Sequence, residues 1–228
     1  MEAIILAGGF GVRLRQVVPD LPKPMAPVAG RPFLEIVLSM LAGKGFTRAV
    51  LSLGFLSETI ISHFGSSYMG MELVHEVEAK PLGTGGAIRA ALTRCVTDHA
   101  FIFNGDTYLD LEVEALERVW QSRQHPVLVV REVPDTSRFG RVEIRDGRVM
   151  AFLEKGQSGP GLINAGCYVL PRTILNDFPL SQPFSIETEF FMKSLQRLRV
   201  DGFITHGRFI DIGMPEDYLL AQTALAGL

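Results

Sequence analysis

Apolar runs and helix-period stretches alternate through the first 110 residues, and few folds tolerate that order. Short apolar runs over 3–6, 49–53, 72–77 and 101–103 read as buried strands. Phe33, Ile36, Val37, Met40 and Leu41 recur at helical spacing and predict a helix over 33–41, which Gly43 or Gly45 can end. Further helices are expected over 57–64, 87–95 and 113–123. Strands that alternate with helices pair in parallel through right-handed crossovers, so helices cover both faces of one sheet. The expectation is an α/β, Rossmann-like, three-layer fold.

The second half changes character. Strands are expected over 127–133, 141–144, 149–153 and 163–170, with short turns such as Arg145-Asp146-Gly147 between them. Two helices follow, over 185–198 and 215–226, with short strands near 203–204 and 209–210. This half reads as an antiparallel or mixed subregion grafted onto the sheet, a small β-rich lobe that makes the whole sheet mixed. No repeat and no Pro/Gly/Ser linker divides the chain, so residues 1–228 are expected to form a single domain.

Charge and composition exclude several function classes. Twenty-two basic residues against 25 acidic ones leave a net charge of −3, without the basic stripe that binding to long nucleic acids requires. Cys95 and Cys167 alone build neither a disulfide framework nor a structural zinc site. No apolar run approaches the roughly 20 residues of a membrane helix, and no basic region precedes the first apolar run. No membrane association and a cytoplasmic location are therefore expected. His63, His75, His99, His125 and His206 show no paired ligand spacing, and no Gly-x-Ser-x-Gly elbow occurs. The basic residues are themselves uneven, with 17 Arg and only five Lys: Lys23, Lys44, Lys80, Lys155 and Lys193. A compact ammonium does work that a planar guanidinium does not, so each remaining Lys invites a separate question.

The chemistry-bearing residues cluster at strand ends. Leu6-Ala7-Gly8-Gly9-Phe10-Gly11-Val12-Arg13-Leu14 follows the first strand directly. Its glycines let backbone N–H groups approach phosphate oxygens, and Arg13 adds a planar fork suited to them. The loop is not a P-loop, because no Gly-Lys-Ser/Thr follows, and the third glycine of a dinucleotide fingerprint falls on Leu14. Pro22-Lys23-Pro24 comes shortly after; its two prolines predict an extended, non-helical segment holding the Lys23 ammonium near the loop. Pro81-Leu82-Gly83-Thr84-Gly85-Gly86-Ala87 is a second glycine-rich loop that opens a helix. Asn104-Gly105-Asp106 and Phe209-Ile210-Asp211-Ile212-Gly213 each put an Asp just past an apolar strand, where α/β sheets place their ligands.

Leu6 to Leu14 with Pro22-Lys23-Pro24 resembles the opening signature of the sugar-phosphate nucleotidyltransferases, the nucleoside-diphosphate-sugar pyrophosphorylases. Val12 stands where that signature commonly has Thr or Ser. The resemblance implies a glycosyltransferase-A-like sheet and attack by a sugar 1-phosphate on the α-phosphorus of an NTP. It implies Arg13 and Lys23 as the catalytic cations, and Asp106 and Asp211 as ligands of Mg²⁺. Nucleotide binding would fall to Leu6, Ala7, Gly8, Gly9 and Gly11, and to Pro81, Leu82, Gly83, Thr84, Gly85 and Gly86, whose small side chains would admit the base. Glu78, with Glu76 beside it, would accept hydrogen bonds from guanine. Asn104, Gly140, Glu154, Lys155 and Asn164 match the sugar-phosphate elements, with Phe139 in place of a Tyr.

Within that family, Pro22 to Pro27, Gly30 to Glu35, Pro81 to Ala87 and Asp211 to Tyr218 are most similar to members that join GTP to heptose 1-phosphate. Members using mannose 1-phosphate stand next, since the two sugars differ only at the exocyclic end. A non-catalytic nucleotide-sugar sensor would have lost the lysine or the aspartates, and Lys23, Asp106 and Asp211 all remain. An oxidoreductase on a similar sheet would need the glycine fingerprint and an acid/base residue that this chain lacks. The oligomeric state is not written in the sequence, and a homodimer is compatible with it.

Overall fold

The computed structural model describes the chain except Phe10, Val12, Arg13, residues 15–17 and Lys155. The first half contains β1 (Glu2–Leu6), the small hairpin β2 (Pro27–Val28) and β3 (Arg31–Pro32), α1 (Phe33–Gly43), β4 (Arg48–Leu53) and α2 (Ser57–Phe64). It continues through β5 (Ser67–Tyr68), β6 (Met71–Val77), α3 (Gly83–Leu92), β7 (His99–Asn104), β8 (Thr107–Leu109) and α4 (Val113–Arg123). The second half runs β9 (Val127–Val133), β10 (Arg141–Arg145), β11 (Arg148–Leu153) and β12 (Gly161–Pro171). It closes with a π-helical turn (Ile186–Phe191), α5 (Met192–Ser194), β13 (Asp201–Thr205), β14 (Phe209–Asp211) and α6 (Pro215–Ala224).

Ten strands form one mixed sheet in the order β10-β11-β13-β9-β12-β7-β1-β4-β6-β5. The expected parallel core is present: β1 lies between β7 and β4, and β4 pairs with β6, all in parallel. Alternate residues of these strands enter two cores. Ala3 and Ile5 pack with α1, α2, α4 and α6 on one face, and Ile4 packs with α3 and the π turn on the other. Burial on both faces explains why the strands read as continuous apolar runs.

The β-rich second half is grafted onto that sheet as the expected mixed subregion. Strand β12 pairs antiparallel with both β7 and β9, which joins the two halves edge to edge in one sheet. The β10–β11 hairpin forms the outer edge. Two helices depart from expectation. Helix α3 begins at Gly83, so the second glycine loop is itself the helix's first turn; Gly85 N–H donates to Phe184 C=O (2.9 Å), a tertiary contact that overrides glycine's low helix propensity. In place of an α-helix over 185–198, the chain makes a π turn capped by Ser185, then one short α-helical turn. The wider turn buries Ile186, Phe190 and Phe191.

Candidate active site

Parallel register aligns the carboxyl ends of the central strands. Leu6 pairs with Ser52 on one side and Asn104 on the other, so the segments that follow β1, β4 and β7 emerge along one edge. A cavity of about 310 Å³ opens there. Gly8 and Gly9 line it after β1, Gly105 and Asp106 after β7, and Glu78 after β6. Its remaining wall comes from Lys23 and Pro24, and from Pro81, Gly83, Thr84 and Ala87 at the start of α3. The expected residues Leu6, Gly8, Gly9, Lys23, Glu78, Pro81, Gly83, Thr84, Asn104 and Asp106 thus share one cavity.

The two aspartates, distant in sequence, are brought together by a separate two-stranded ladder. Strand β14 pairs antiparallel with β8, with Asp211 opposite Thr107, and Ile212 N–H donates to Asp106 C=O at 2.9 Å. Lys23 closes the cluster: its Nζ lies 2.5 Å from Asp106 Oδ2. A Cβ on Gly213 would stand 2.8 Å from Asp211 Oδ1 and 3.0 Å from Lys23 Nζ, so both charged groups crowd that glycine. Burial and the neighbouring Asp106 carboxylate push the Asp211 carboxyl above its ordinary value, while Lys23 and the Gly213 N–H oppose the rise. Asp211 thus stands beside a like charge that one lysine offsets only in part.

That donor set fits Mg²⁺. The ion takes hard oxygen ligands, and with a triphosphate present it needs only one or two protein carboxylates. Among the described residues no larger cluster of His, Cys, Asp and Glu converges as an all-protein cage.

Lys23 itself corrects the expectation of an extended segment. Lys23–Met25 is one 3₁₀ turn entered from Pro22, closed by Met25 N–H to Pro22 C=O (2.7 Å) and Ala26 N–H to Lys23 C=O (3.1 Å). Proline is tolerated in a first turn because those N–H groups have no helical partner to lose. Gly11, at φ +58°, packs on the Lys23 stem, where a Cβ would come within 2.9 Å of Lys23 Cβ. It braces the lysine and is not among the residues lining the cavity.

Gly85 and Gly86 are crowded by the chain itself. A Cβ on Gly85 would enter the Phe184 ring, and one on Gly86 would lie 2.7 Å from Gln182 C=O. They receive the chain's own 182–184 segment, and neither lines the cavity. Leu82 and Ala7 are buried and absent from the cavity lining as well; each contributes backbone hydrogen bonds, Leu82 C=O accepting from Phe184 N–H and Ala7 N–H donating to Ser52 C=O.

Glu78 faces the cavity, but Glu76 does not line it and pairs with Arg94 at 3.6 Å. Glu78 accepts from Leu82 N–H (2.9 Å) and Ser52 Oγ (3.3 Å), and burial raises its carboxyl. Lone pairs remain for further donors. Lys80 and Glu78 line an adjoining 210 Å³ recess with Gly54.

Further residues expected on the sugar side gather at β10, β11 and β12. Arg141 pairs with Leu153 on β11 and with Ile163 on β12, which sets Gly140 beside Glu154 and Asn164. None of the three lines the 310 Å³ cavity. Asn164 is committed internally, its Oδ1 accepting from Gly166 N–H (2.9 Å) and its Nδ2 donating to Tyr168 OH (2.8 Å). Arg13 and Lys155 lie outside the described residues. Both cysteines are buried and free; burial pushes the Cys95 thiol up to about 12 and Cys167 higher still, so neither serves as a nucleophile. Ser52 and Glu187 went unnoticed in the sequence. Ser52 had one signal, a small polar residue near the carboxyl end of an apolar strand; Glu187 had none beyond its place after a capping serine.

Comparison with known proteins places this geometry. A family model described as nucleotidyl transferase matches residues 2–227. The chain is 41% identical over 226 residues to the D-glycero-alpha-D-manno-heptose 1-phosphate guanylyltransferase of Aneurinibacillus thermoaerophilus, covering 99% of this chain and 98% of that one. It is 35% identical over 231 residues to the mannose-1-phosphate guanylyltransferase of Mycobacterium tuberculosis, covering 99% of this chain but 64% of that longer protein. Among solved structures, HddC from Yersinia pseudotuberculosis complexed with GMP-PN matches with a TM-score of 0.87 and 35% identity, over 98% of this chain and 99% of that one. No helix among the described residues is long and apolar enough to cross a membrane.

Proposed function

The chain belongs to the nucleotidyl transferase family, and from that premise we propose that it transfers GMP from GTP to D-glycero-α-D-manno-heptose 1-phosphate. An oxygen of the sugar phosphate attacks the α-phosphorus, the α–β bridging P–O bond breaks, and GDP-heptose and pyrophosphate result. The observation that carries this reading is the meeting of Lys23, Asp106 and Asp211 at the glycine-lined edge of the sheet.

The absence of a histidine base fits the chemistry. A phosphate monoester has its second pKa near about 6 and is mostly dianionic at neutral pH, so the nucleophile arrives already ionised. Repulsion between phosphates and misalignment are the remaining obstacles. Lys23 supplies a fixed ammonium for the triphosphate and the departing pyrophosphate, with Arg13 as its partner on the glycine loop. Asp106 and Asp211 hold Mg²⁺, which when bound supplies the positive charge that the phosphate oxygens need. The backbone of Gly8 and Gly9 cradles phosphate. Glu78 selects guanine by accepting from its N1–H and N2–H₂ donors, and Gly140, Glu154, Lys155 and Asn164 form the sugar-phosphate side. The enzyme works in the cytoplasm, where GTP is supplied, and its product feeds bacterial surface-glycan synthesis. The nearly full-length likeness to heptose enzymes favours heptose over mannose 1-phosphate.

A matrix of four NTPs against heptose and mannose 1-phosphates, read by pyrophosphate release, tests this reading. GTP with the heptose phosphate should be fastest, and equal use of dTTP would sink the guanine assignment. Glu78→Gln replaces an acceptor pair by one acceptor and one donor, and should cut the preference for GTP about 10-fold.

A further inference from the structure

Glu187 belongs to none of the motifs above, yet a hydrogen-bond chain ends on it from two directions. Its Oε2 accepts from Thr84 Oγ1 and from Ser185 Oγ, both at 2.8 Å. Its Oε1 accepts from the fully buried Tyr168 OH at 3.1 Å, and that hydroxyl oxygen accepts from Asn164 Nδ2 at 2.8 Å. Thr84 lines the cavity. Asn164 begins the turn to Gly166, whose backbone at φ +68° lies so close to Asn104 that a Cβ would come within 2.5 Å of Asn104 Nδ2. Asn104 lines the cavity too. The hydrogen-bond chain therefore runs from a cavity residue on α3 to the turn of β12, and that turn packs against a second cavity residue at the end of β7.

Backbone donors fix the direction of every hydrogen in it. Gly166 N–H can only donate, so Asn164 presents its carbonyl there and its NH₂ to Tyr168. The tyrosine hydroxyl, already accepting, turns its proton to Glu187. At the other end Ile186 N–H donates to Thr84 Oγ1 (3.0 Å), so the threonine proton also turns to Glu187. The site directs donors at both oxygens of Glu187, which a side chain that accepts at both matches. A glutamine of the same size would set its NH₂ against one of those hydroxyl protons, and that hydroxyl would have to turn its proton out of the chain to accept it.

We propose that Glu187 is a positioning residue that holds Thr84 on the nucleotide side and Asn164 on the sugar side in one fixed relation. The inference rests on the guanylyltransferase reading for which substrate each side faces. Removing the carboxylate loosens both sides at once, whereas each branch can be cut separately.

Steady-state kinetics and calorimetric binding of GTP and of the sugar phosphate, on wild type, Glu187→Gln, Thr84→Val and Tyr168→Phe, test it. Thr84→Val should raise KM for GTP alone, Tyr168→Phe that for the sugar phosphate alone, and Glu187→Gln both, each at least about 10-fold with a smaller loss in kcat. A merely structural glutamate would lower the melting temperature and the active fraction while leaving both KM values in place. Glu187→Gln with both KM values within about twofold of wild type, or with only one raised, overturns the proposal. Should that variant not fold, the two single-branch variants carry the test: the proposal fails if they lack the opposite KM pattern. Wild-type turnover in the same assay separates the two readings. A wild type that prefers another NTP or sugar phosphate overturns the specificity, and the KM pattern is then read on that pair.

Discussion

Each edge of the parallel core carries a carboxylate, the buried Glu2 at one and the half-buried Asp211 at the other, and the two are treated in opposite ways. At the amino-terminal edge Glu2 accepts from Val96 N–H (3.0 Å), Thr97 N–H (3.1 Å) and Thr97 Oγ1 (2.8 Å), and it pairs with Arg48. Parallel register sets Glu2, Arg48 and Glu72 in one row across β1, β4 and β6, alternating in charge. Burial alone would raise the Glu2 carboxyl, but these donors outweigh it and hold the group below its ordinary range. At the carboxyl-terminal edge Asp211 has one backbone donor, a second carboxylate beside it and a raised value. One end is a completed network and the other is short of cations. In a sheet of this kind, a saturated buried carboxylate marks scaffold, and an undersupplied one marks the place where a ligand brings the missing charge.

Variants at the two ends should respond in opposite currencies. Asp106→Ala is expected to lose at least about 100-fold in turnover with the fold intact, the scale of removing one preorganised electrostatic contact. Near wild-type turnover would refute its role. Glu2→Gln should leave turnover per folded molecule unchanged and cost about 2 kcal/mol of stability by stranding buried donors, read as a fall of several degrees in Tm. The sign with pH follows from the lowered value. Ionised Glu2 stabilises the fold above its unfolded value of 4.5, and that contribution is lost as pH falls through the depressed folded value. Acid titration of Tm should therefore be steeper for wild type than for Glu2→Gln. Asp211→Asn keeps an oxygen for the Gly213 N–H while removing the crowded charge, so Tm at neutral pH should rise by a few degrees at most as turnover collapses. A clear fall would erase the contrast between the two ends. Smallest of all, Glu76→Gln breaks only the partly exposed pair with Arg94 and should shift stability by less than about 0.5 kcal/mol, with the NTP preference unchanged.

The elements read most accurately from sequence are those whose pattern is local. Helices Ser57–Phe64 and Val113–Arg123 and strand Val127–Val133 form at the expected bounds because their apolar spacing decides the outcome unaided. The glycines of α3 hide only its first turn, against which residues 182–184 pack, and no local rule reveals that contact. Strands β2, β3, β5 and β8 are too short for a periodicity to show. Of the site, Lys23, Asp106 and Asp211 were legible because glycine and proline punctuate their positions. Glu187 was not, since apart from the neighbouring Ser185 its donors come from residues 19 and 103 positions away.

The β8–β14 ladder has a temporal consequence. It joins Asp106, near the middle of the chain, to Asp211 close to the carboxyl end, while the glycine loop, Lys23 and most of the cavity wall precede residue 110. A chain emerging amino-terminus first carries Asp106 long before Asp211, and the two come together only once residues 209–211 have docked. The pairing of the two carboxylates therefore coincides with completion of the fold, and a chain cut short before β14 holds Asp106 alone.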